Sequence, residues 1–227
     1  MIIITKFIGK AITVGKILNY ERLKKFSYVG MEQTHSENFI EIFEVEKNKQ
    51  VIPNVDALIT AKKNILLAVK TADCLPILIH WKNPQEKDVI AAIHSGRAGT
   101  EKKILTKVLN YLKIKYGASE TPKNKSQESK LTIWLGPAIC NKCYQINKES
   151  NLHYDLYQKN IDQIKQVFPK SKNLNTVNTV SNESTNSPID IKIIRSEFCT
   201  LHNNEMFHSY RKSGTGVAMN YSLIGMK

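Results

Sequence analysis

An aspartate and a cysteine, Asp73 and Cys74, interrupt an otherwise apolar run at residues 64–80. A carboxylate is costly to bury in a strand without partners, and Pro76 cannot donate a hydrogen bond within a central ladder. The strand is therefore predicted to end or bulge at Cys74, which would present the thiol at the edge of a sheet. A thiolate in that place can act as a nucleophile or a metal ligand. Core packing is the alternative for a cysteine in an apolar strand.

Either reactive role of the thiolate requires a histidine, as a base or as a second ligand. His94 is the best placed, because it ends the apolar run 88–94 before a glycine-containing turn, and sites in α/β proteins form at strand-to-helix junctions. His35 lies in a polar turn before another strand. His80 is excluded as a partner of Cys74, since six residues of extended chain separate them by ~20 Å. The other histidines have no comparable position: His153, His202 and His208.

A further pair of thiols, Cys140 and Cys143, has C-x-x-C spacing. A structural zinc site usually needs a second such pair, and a thioredoxin-type motif opens a helix after a strand. The pair is therefore interpreted as incidental thiols in a Gly-Pro turn region.

The composition is typical of a globular protein with a lysine-rich surface. Hydrophobic residues make up 41% of the 227-residue chain, and the formal net charge is +13. The lysines are scattered and only four basic residues are arginines, so no nucleic-acid partner is predicted, although the charge favours anionic substrates. No apolar run reaches the ~18 residues of a membrane span. The apolar start before Lys6 is shorter than a signal-peptide core of ~7–15 residues, so a cytoplasmic location with reduced cysteines is expected.

The elements that must position these residues alternate between strands and helices. The strand-like runs are 39–45, 64–80, 88–94, 131–139, 189–194 and 217–224. One amphipathic helix is predicted between an N-cap at Thr100 and a C-cap at Gly117. A second begins after an N-cap at Asn151 and ends before Pro169. This alternation predicts an α/β (α+β) protein in which helices cover a sheet.

Two polar segments, 117–130 and 169–188, contain few large apolar side chains and are predicted to be surface insertions. Because the strands on either side of each are too few to form separate cores, residues 1–227 are predicted to form a single domain.

Four stretches resemble the YfiH family, also known as laccase-domain or polyphenol-oxidase-like proteins, which includes purine nucleoside phosphorylases of the laccase-domain type. In chain order they are MEQTHSENF, VDALITAKKNILLAVKTADCLPILI, AAIHSGRAGT with the later WLGPAICNKCYQI, and CTLHNNEMFHSYRKSGTG. The weaker DLYQKNIDQI resembles a further block. The resemblance implies a three-layer α-β-α fold with a mixed sheet, similar also to cytotoxic necrotizing factor.

The resemblance implies a metal site formed by His35, Cys74 and His94, usually with zinc and alternatively with copper. Three protein ligands leave the fourth position of zinc open, as in catalytic sites. Cys74, His94 and Asp73 are the implied catalytic residues, with Asp73 as a partner of the ligands or a proton acceptor at the pocket rim.

Phosphate binding is expected at Arg211, in the glycine-flanked SYRKSGTG, and at Arg97. The sequence departs from the family pattern here. The usual His-Ala-Gly-Trp-Arg-Gly is His-Ser-Gly-Arg-Ala-Gly at 94–99, so the arginine is displaced by one residue, and a second C-terminal arginine is replaced by Val217. Where the family usually has a Tyr-Glu pair, this sequence has Tyr144 and Gln145, so a carboxylate is replaced by an amide.

The activity implied by the resemblance is phosphorolysis of adenosine, inosine and methylthioadenosine, accompanied by adenosine deamination. The partners would then be small molecules, a nucleoside and phosphate. The alternatives are an amidase or thiol hydrolase that edits peptidoglycan precursors, using Cys74 and His94, and a copper-dependent, laccase-like polyphenol oxidase. A binding module is a further alternative, in which zinc only stabilises the fold and Cys140 or Cys143 supplies a fourth ligand.

Overall fold

The computed structural model describes residues 3–8, 23–46, 49–83, 88–117, 129–169 and 189–227, and only the backbone of the first of these ranges. Most of the two predicted polar insertions, 117–130 and 169–188, lies outside the described residues. The single domain proposed for the whole chain stays a prediction.

The described strands and helices follow one another along the chain. The strands are β1 (Ile3–Ile8), β2 (Ser27–Met31), β3 (Phe39–Glu41), β4 (Lys49–Ile52), β5 (Ala57–Thr60), β6 (Ile65–Thr71), β7 (Leu75–Lys82), β8 (Val89–Ser95), β9 (Ser129–Leu135), β10 (Gln145–Asn147), β11 (Leu152–His153), β12 (Ile189–Arg195) and β13 (Asn220–Met226). The helices are α1 (Arg97–Glu101), α2 (Ile104–Tyr116), α3 (Leu156–Val167) and α4 (Tyr210–Ser213).

The strands form two large sheets and one small hairpin. The five-stranded sheet has the order β1-β13-β6-β2-β4, the six-stranded sheet has the order β12-β9-β7-β8-β5-β3, and β10 pairs with β11. Both large sheets are mixed, with parallel pairs such as β12/β9 and β2/β6 beside antiparallel pairs such as β7/β8. The predicted α/β class with mixed strand directions is confirmed.

The six-stranded sheet is buried on both faces. One face packs against the five-stranded sheet through aliphatic side chains of both: Val29, Leu67, Val69, Ile224, Leu58, Leu78, Ile90 and Ala92. The other face packs against α2 and α3: Ile77, Ile79, Ile93, Leu105, Leu109, Ile161 and Ile164. Burial on two faces explains why the central strands β5, β7 and β8 are almost continuously apolar, without the alternation of a half-exposed strand.

The predicted strand at residues 64–80 is divided at residues 72–74. Its first part, β6, belongs to the five-stranded sheet, and its second part, β7, belongs to the six-stranded sheet. Asp73 has a positive φ of 92° at this crossing, a conformation that is uncommon for a residue other than glycine. The predicted break at Cys74 is confirmed, and its physical cause is the passage of the chain from one sheet to the other.

The first predicted helix corresponds to α2, which begins later than expected, at Ile104. The N-cap assignment of Thr100 is wrong, because this residue lies inside α1 and its hydroxyl donates a hydrogen bond to the carbonyl of Gly96 at 2.8 Å. Lys103, in a left-handed conformation with φ of 62°, separates α1 from α2. The C-cap at Gly117 is confirmed.

The second predicted helix also begins later than expected. Asn151 is not its N-cap, because the chain there belongs to the β10/β11 hairpin region. The carboxylate of Asp155 accepts a hydrogen bond from the backbone N–H of Gln158 at 2.9 Å and caps α3. The helix ends before Pro169, as predicted. Of the helices in the described ranges, none has both the length and the apolar character that crossing a lipid bilayer requires.

Candidate functional site

Three side chains from separate segments of the chain converge beside the point where β6 passes into β7. Because β7 and β8 are antiparallel with Pro76 opposite His94, Cys74 and His94 lie at the same edge of the six-stranded sheet. The turn after β2 brings His35 to them, and its Nε2 atom lies 3.6 Å from Sγ of Cys74. The three residues each offer one ligand atom within 4.8 Å of the others. The structure therefore brings together all three of the predicted metal ligands.

A buried carboxylate fixes the orientation of His94. Asp56 immediately precedes β5 and is fully buried, and its Oδ1 atom lies 2.7 Å from Nδ1 of His94. The backbone N–H of His94 also donates a hydrogen bond to the carbonyl of Asp56 at 2.8 Å. With Nδ1 held in this way, Nε2 is the ring nitrogen left for Cys74 or for a metal.

The same carboxylate holds the turn that carries His35. The backbone N–H groups of Thr34, His35 and Ser36 donate hydrogen bonds to Asp56 at 3.1, 3.1 and 2.7 Å. The Ser36 hydroxyl donates another at 2.6 Å. His35 has a positive φ of 56°, which is unfavourable for a bulky residue and persists only when its surroundings enforce it. Asp56 therefore positions two of the three predicted ligands.

The hydrogen bonds within this cluster determine its charge. Burial favours the neutral thiol of Cys74, but hydrogen bonds to His35 and His94 outweigh it and lower the pKa of the thiol to about 6. Burial likewise opposes a charge on His94, yet hydrogen bonds to Asp56 and Cys74 raise the pKa of its imidazole to about 9. Despite its burial, the pKa of Asp56 is held well below the usual range by hydrogen bonds from His94 and Ser36. Cys74 is therefore a thiolate at neutral pH, the form that binds metals and attacks electrophiles.

A glycine allows the cluster to pack against the backbone at the start of α1. A Cβ atom added to Gly96 would lie 2.8 Å from Sγ of Cys74 and 2.8 Å from Cδ2 of His35. Both distances are shorter than van der Waals contact, so any side chain at this position would displace two predicted ligands.

If the cluster binds a metal, we expect Gly96→Ala to weaken that binding about 10- to 100-fold, the range typical of altered support for metal ligands. The measurement is the chelator concentration that removes half of the metal from the cluster, which should fall by the same factor. Gly30→Ala is the matched control, because the atoms nearest to its added methyl group belong to the side chain of Tyr28, at 3.1 Å, and not to the cluster. Equal resistance to chelator in the two variants would contradict the packing role of Gly96.

A cavity of about 590 Å³ opens beside the cluster. This volume lies within the ~300–1,000 Å³ of typical small-molecule sites. The residues that line it include the three cluster residues, polar groups and an apolar wall: Lys70, Asp73, Tyr144, Leu156, Tyr210, Arg211, Val217 and Met219.

Asp73 connects the cluster to the cationic side of the cavity. It is buried, and its two carboxylate oxygens accept hydrogen bonds from the Thr200 hydroxyl and from the backbone N–H of Arg211, each at 2.7 Å. The Arg211 guanidinium donates to the carbonyl of Gln145 at 2.7 Å and lies 5.2 Å from the centre of the Tyr144 ring. Asp73 thus holds the backbone of Arg211, while Tyr144 and the first residue of β10, Gln145, hold its side chain.

The two predicted phosphate-binding arginines occupy different places. Arg211 lines the cavity, whereas Arg97 is not among the described residues that line it. Arg97 begins α1, is half-exposed, and its Nε atom lies 3.9 Å from Glu101. The arginine that is displaced by one residue in this turn therefore has its ion pair on α1 itself.

Sequence reasoning assigned no role to Asp56, although the residue lies in one of the stretches that carry the resemblance. The available signal was an acidic residue directly before the apolar strand β5. Neither Cys140 nor Cys143 is among the described side chains that converge on Cys74, so neither supplies a fourth ligand there.

Comparison with known sequences finds a family and several named proteins to which this chain is similar. Residues 16–227 match the family described as multi-copper polyphenol oxidoreductase laccase. A purine nucleoside phosphorylase of Clostridium acetobutylicum is 31% identical over 199 residues, which cover 86% of this chain and 75% of that protein. A purine nucleoside phosphorylase of Campylobacter jejuni is 36% identical over 121 residues, which cover 53% of this chain and 47% of that protein.

Solved structures share the fold. The YfiH protein of Bacillus licheniformis matches with a TM-score of 0.65 and 20% identity, covering 94% of this chain and 78% of that one. YlmD of Geobacillus stearothermophilus matches with a TM-score of 0.67 and 20% identity, covering 93% and 78%. The predicted YfiH-like fold is confirmed.

Proposed function

The chain belongs to the family described as multi-copper polyphenol oxidoreductase laccase, and on that premise we propose that it is a zinc-dependent purine nucleoside phosphorylase. Curated relatives named purine nucleoside phosphorylase support an enzyme of this type. The observation that carries the proposal is one cavity bordered by both the cluster of His35, Cys74 and His94 and the cation of Arg211. The proposed substrates are phosphate with adenosine, inosine or methylthioadenosine.

The donor set of the cluster fits zinc. One thiolate and two imidazoles are preferred zinc ligands, and a carboxylate that holds the second nitrogen of a ligating histidine is a recurrent feature of zinc sites. His35, Cys74 and His94 would hold the ion, with Asp56 as that carboxylate. When bound, zinc with three protein ligands supplies a Lewis acid with one open coordination position.

Arg211 is the proposed phosphate-binding group. Its backbone is held by Asp73 and its guanidinium by Gln145 and Tyr144, so little rotamer entropy remains to be lost when phosphate binds. A guanidinium has five N–H donors, and those not directed at Gln145 remain for a phosphate. Lys70 lines the same cavity and supplies a second positive charge.

The proposed reaction exchanges one bond for another. A phosphate oxygen forms a bond to C1′ of the ribose while the bond from C1′ to the purine nitrogen breaks, and the base leaves with the electron pair and takes up a proton. Arg211 orients the phosphate, and the apolar wall formed by Leu156, Val217 and Met219 accommodates the nucleoside. Adenosine deamination, in which water replaces the amino group of the purine ring and inosine and ammonia are released, is proposed as an accompanying activity of the same cavity.

For Asp73 we propose a positioning role. Both of its oxygens are hydrogen-bonded to the segment that carries Arg211, so the carboxylate fixes the distance between the phosphate-binding cation and the cluster. The cytoplasm, in which thiols stay reduced, is the proposed location of the enzyme.

We expect Arg211→Ala to lower kcat/KM for phosphate roughly 10- to 100-fold, because hydrogen bonds to a charged group contribute about 1.5–3 kcal/mol. The measurement is base release from inosine at varied phosphate concentration. Lys212→Ala is the matched control, since it removes a neighbouring exposed cation that is not among the described cavity residues. Arg97→Ala, assayed beside them, measures whether the arginine of α1 contributes as well. A phosphate dependence that is unchanged in Arg211→Ala would exclude the proposed role.

A thiol hydrolase is the second candidate, and the thiolate character of Cys74 favours it. With a pKa of about 6 and an imidazole nitrogen at 3.6 Å, Cys74 has the features of an activated nucleophile. Such an enzyme would hydrolyse an amide, for example in a peptidoglycan precursor. A chelator separates the two functions, because a thiol hydrolase should keep its activity when metal is removed and a zinc-dependent phosphorylase should not.

Copper-dependent phenol oxidation is the function named in the family description. One cysteine and two histidines also form the ligand set of blue-copper sites, and copper exceeds zinc in intrinsic affinity. A purified protein with several coppers and an intense visible thiolate-to-copper absorption would favour this function over phosphorolysis.

A further inference from the structure

We propose that the chain holds a second, structural zinc ion, bound by Cys140, Cys143, Cys199 and His202. Each of these residues offers one ligand atom within 4.8 Å of the other three. Together they contain every cysteine of the chain except Cys74. This inference goes beyond the proposed phosphorolysis and does not depend on it.

The spacing of the four residues is that of a two-loop zinc site. Cys140 and Cys143 form a C-x-x-C pair, and Cys199 and His202 form a C-x-x-H pair. Zinc sites of the Cys₃His type draw their ligands from two such short turns. The second pair, which a structural zinc site requires, is therefore present but 56 residues further along the chain, counted from Cys143 to Cys199.

The fold explains why the two loops meet. One loop follows β9 and the other follows β12, and these strands are parallel neighbours in the six-stranded sheet. Their carboxyl ends therefore lie side by side. Beyond the strands, Ala138 and Cys199 form a parallel bridge, and the backbone N–H of Thr200 donates a hydrogen bond to the carbonyl of Ala138 at 3.1 Å.

The distances require little movement to bind an ion. Sγ of Cys143 lies 3.1 Å from Nε2 of His202, and Sγ of Cys140 lies 4.0 Å from Nδ1 of the same ring. Ligands about 2.3 Å from a tetrahedral zinc are about 3.8 Å apart. Since the four ligand atoms are all within 4.8 Å of one another, closing around zinc needs shifts of at most about 1 Å.

The environment of the sulfurs also suits zinc thiolates. Cys199 is buried, and its Sγ atom accepts a hydrogen bond from the backbone N–H of Cys140 at 3.3 Å, a contact that stabilises negative charge on sulfur. Three thiolates and one imidazole in a tetrahedral arrangement select zinc among the common divalent metals. Because protein groups occupy all four positions, the ion would stabilise structure and leave no open site for a substrate.

This ion would stabilise one wall of the cavity without lying in the cavity. Tyr144 directly follows Cys143, and Thr200, which donates to Asp73, directly follows Cys199. Both residues belong to the network that positions Arg211. Loss of the second zinc should therefore loosen the phosphate-binding side of the cavity while leaving the cluster of Cys74 in place.

Metal content of the full-length chain tests the inference. Elemental analysis of purified Cys74→Ser should find one zinc per chain, since this variant loses only the first cluster. Cobalt substitution of the same variant should give the intense sulfur-to-cobalt absorption and the visible bands of a tetrahedral ion with three thiolates. A Cys74→Ser protein that is folded but holds no zinc, or whose cobalt form lacks sulfur-to-cobalt absorption, would overturn the proposal.

An exposed ligand provides a variant that should still fold. His202 is exposed, so His202→Asn in the Cys74→Ser background should reduce zinc content to near zero, whereas His153→Asn, at another exposed histidine, should not. Equal zinc in the two would overturn the proposal, as would oxidation of Cys140 and Cys143 to a disulfide in the freshly purified protein. Zinc retained in Cys74→Ser without any phosphorolysis by the wild type would support this site and contradict the proposed function.

Discussion

Replacing Cys74 by alanine is expected to reduce nucleoside phosphorolysis by roughly 10³-fold or more, which corresponds to about 4 kcal/mol of lost transition-state stabilisation. The variant would leave zinc with two imidazoles and no anionic ligand at the first cluster, so zinc content should fall by one ion per chain. The measurements are base release from inosine and zinc per chain. Because the side chain is small and partly exposed, the melting temperature should change little when the metal-free variant and the metal-free wild type are compared.

The control for this variant is His153→Ala, which removes an exposed side chain whose Nδ1 atom contacts only the carbonyl of Asn151 at 2.9 Å. It should keep both the activity and the metal content of the wild type. Turnover by Cys74→Ala within a few-fold of the wild type would exclude both the metal-dependent function and the thiol hydrolase.

Asp56→Ala is expected to have the largest effect on stability among the site variants. It leaves His94 and the N–H groups of three consecutive residues, 34–36, without their acceptor. Removing one partner from a buried charged network costs roughly 3–5 kcal/mol. For a chain of this size the melting temperature should fall by about 10 °C, measured by calorimetry or circular dichroism.

Asp56→Asn separates the two tasks of this carboxylate. The amide oxygen can still accept the hydrogen bonds from Thr34 and Ser36 in the turn that carries His35, but the amide nitrogen cannot accept those from Nδ1 of His94 and the N–H of His35. The favoured tautomer of His94 would then carry its proton on Nε2, where the metal should bind. We expect most of the stability to remain and zinc affinity to fall about 10- to 100-fold. Equal losses of stability in the alanine and asparagine variants would contradict this division.

The cluster of His35, Cys74 and His94 could be predicted in part from single residues. The break at Cys74 followed from a carboxylate and a proline within an apolar run, and His94 followed from its place at the end of a strand. What could not be predicted is that the break lies between two sheets, because β6 and β7 are equally apolar and nothing local distinguishes their partners. The role of His35 came from the resemblance to the YfiH family, since its left-handed turn is enforced by a residue 21 positions away.

Asp56 and the pair of Cys199 and His202 could not be predicted for a second reason. Their roles depend on partners that lie far away in the sequence. Asp56 acts on residues on both sides of it in the sequence, and its burial is tolerable only because those partners supply donors. The C-x-x-C turn of Cys140 and Cys143 meets the C-x-x-H turn of Cys199 and His202 because β9 and β12 are adjacent and parallel. Local patterns also misplaced the starts of both helices. Thr100 forms hydrogen bonds inside the core and does not cap the first helix, and Asp155 rather than Asn151 caps the second.

Family membership and fold agree with what the resemblance implied, and the comparisons support an enzyme of the purine nucleoside phosphorylase type. Of the residues at which this chain departs from the family pattern, Val217 lines the cavity in place of an arginine. Arg97 is not among the described lining residues and is paired with Glu101. The cations that line the described cavity, and that we propose for phosphate binding, are therefore Arg211 and Lys70.

The most direct test of the proposed phosphorolysis is product analysis with inosine and the zinc-loaded 227-residue chain, with and without phosphate. A phosphorylase should release hypoxanthine and ribose 1-phosphate in equal amounts, dependent on phosphate and abolished in Cys74→Ala. Hypoxanthine with free ribose at a rate independent of phosphate, or no release of base under any of these conditions, would contradict it.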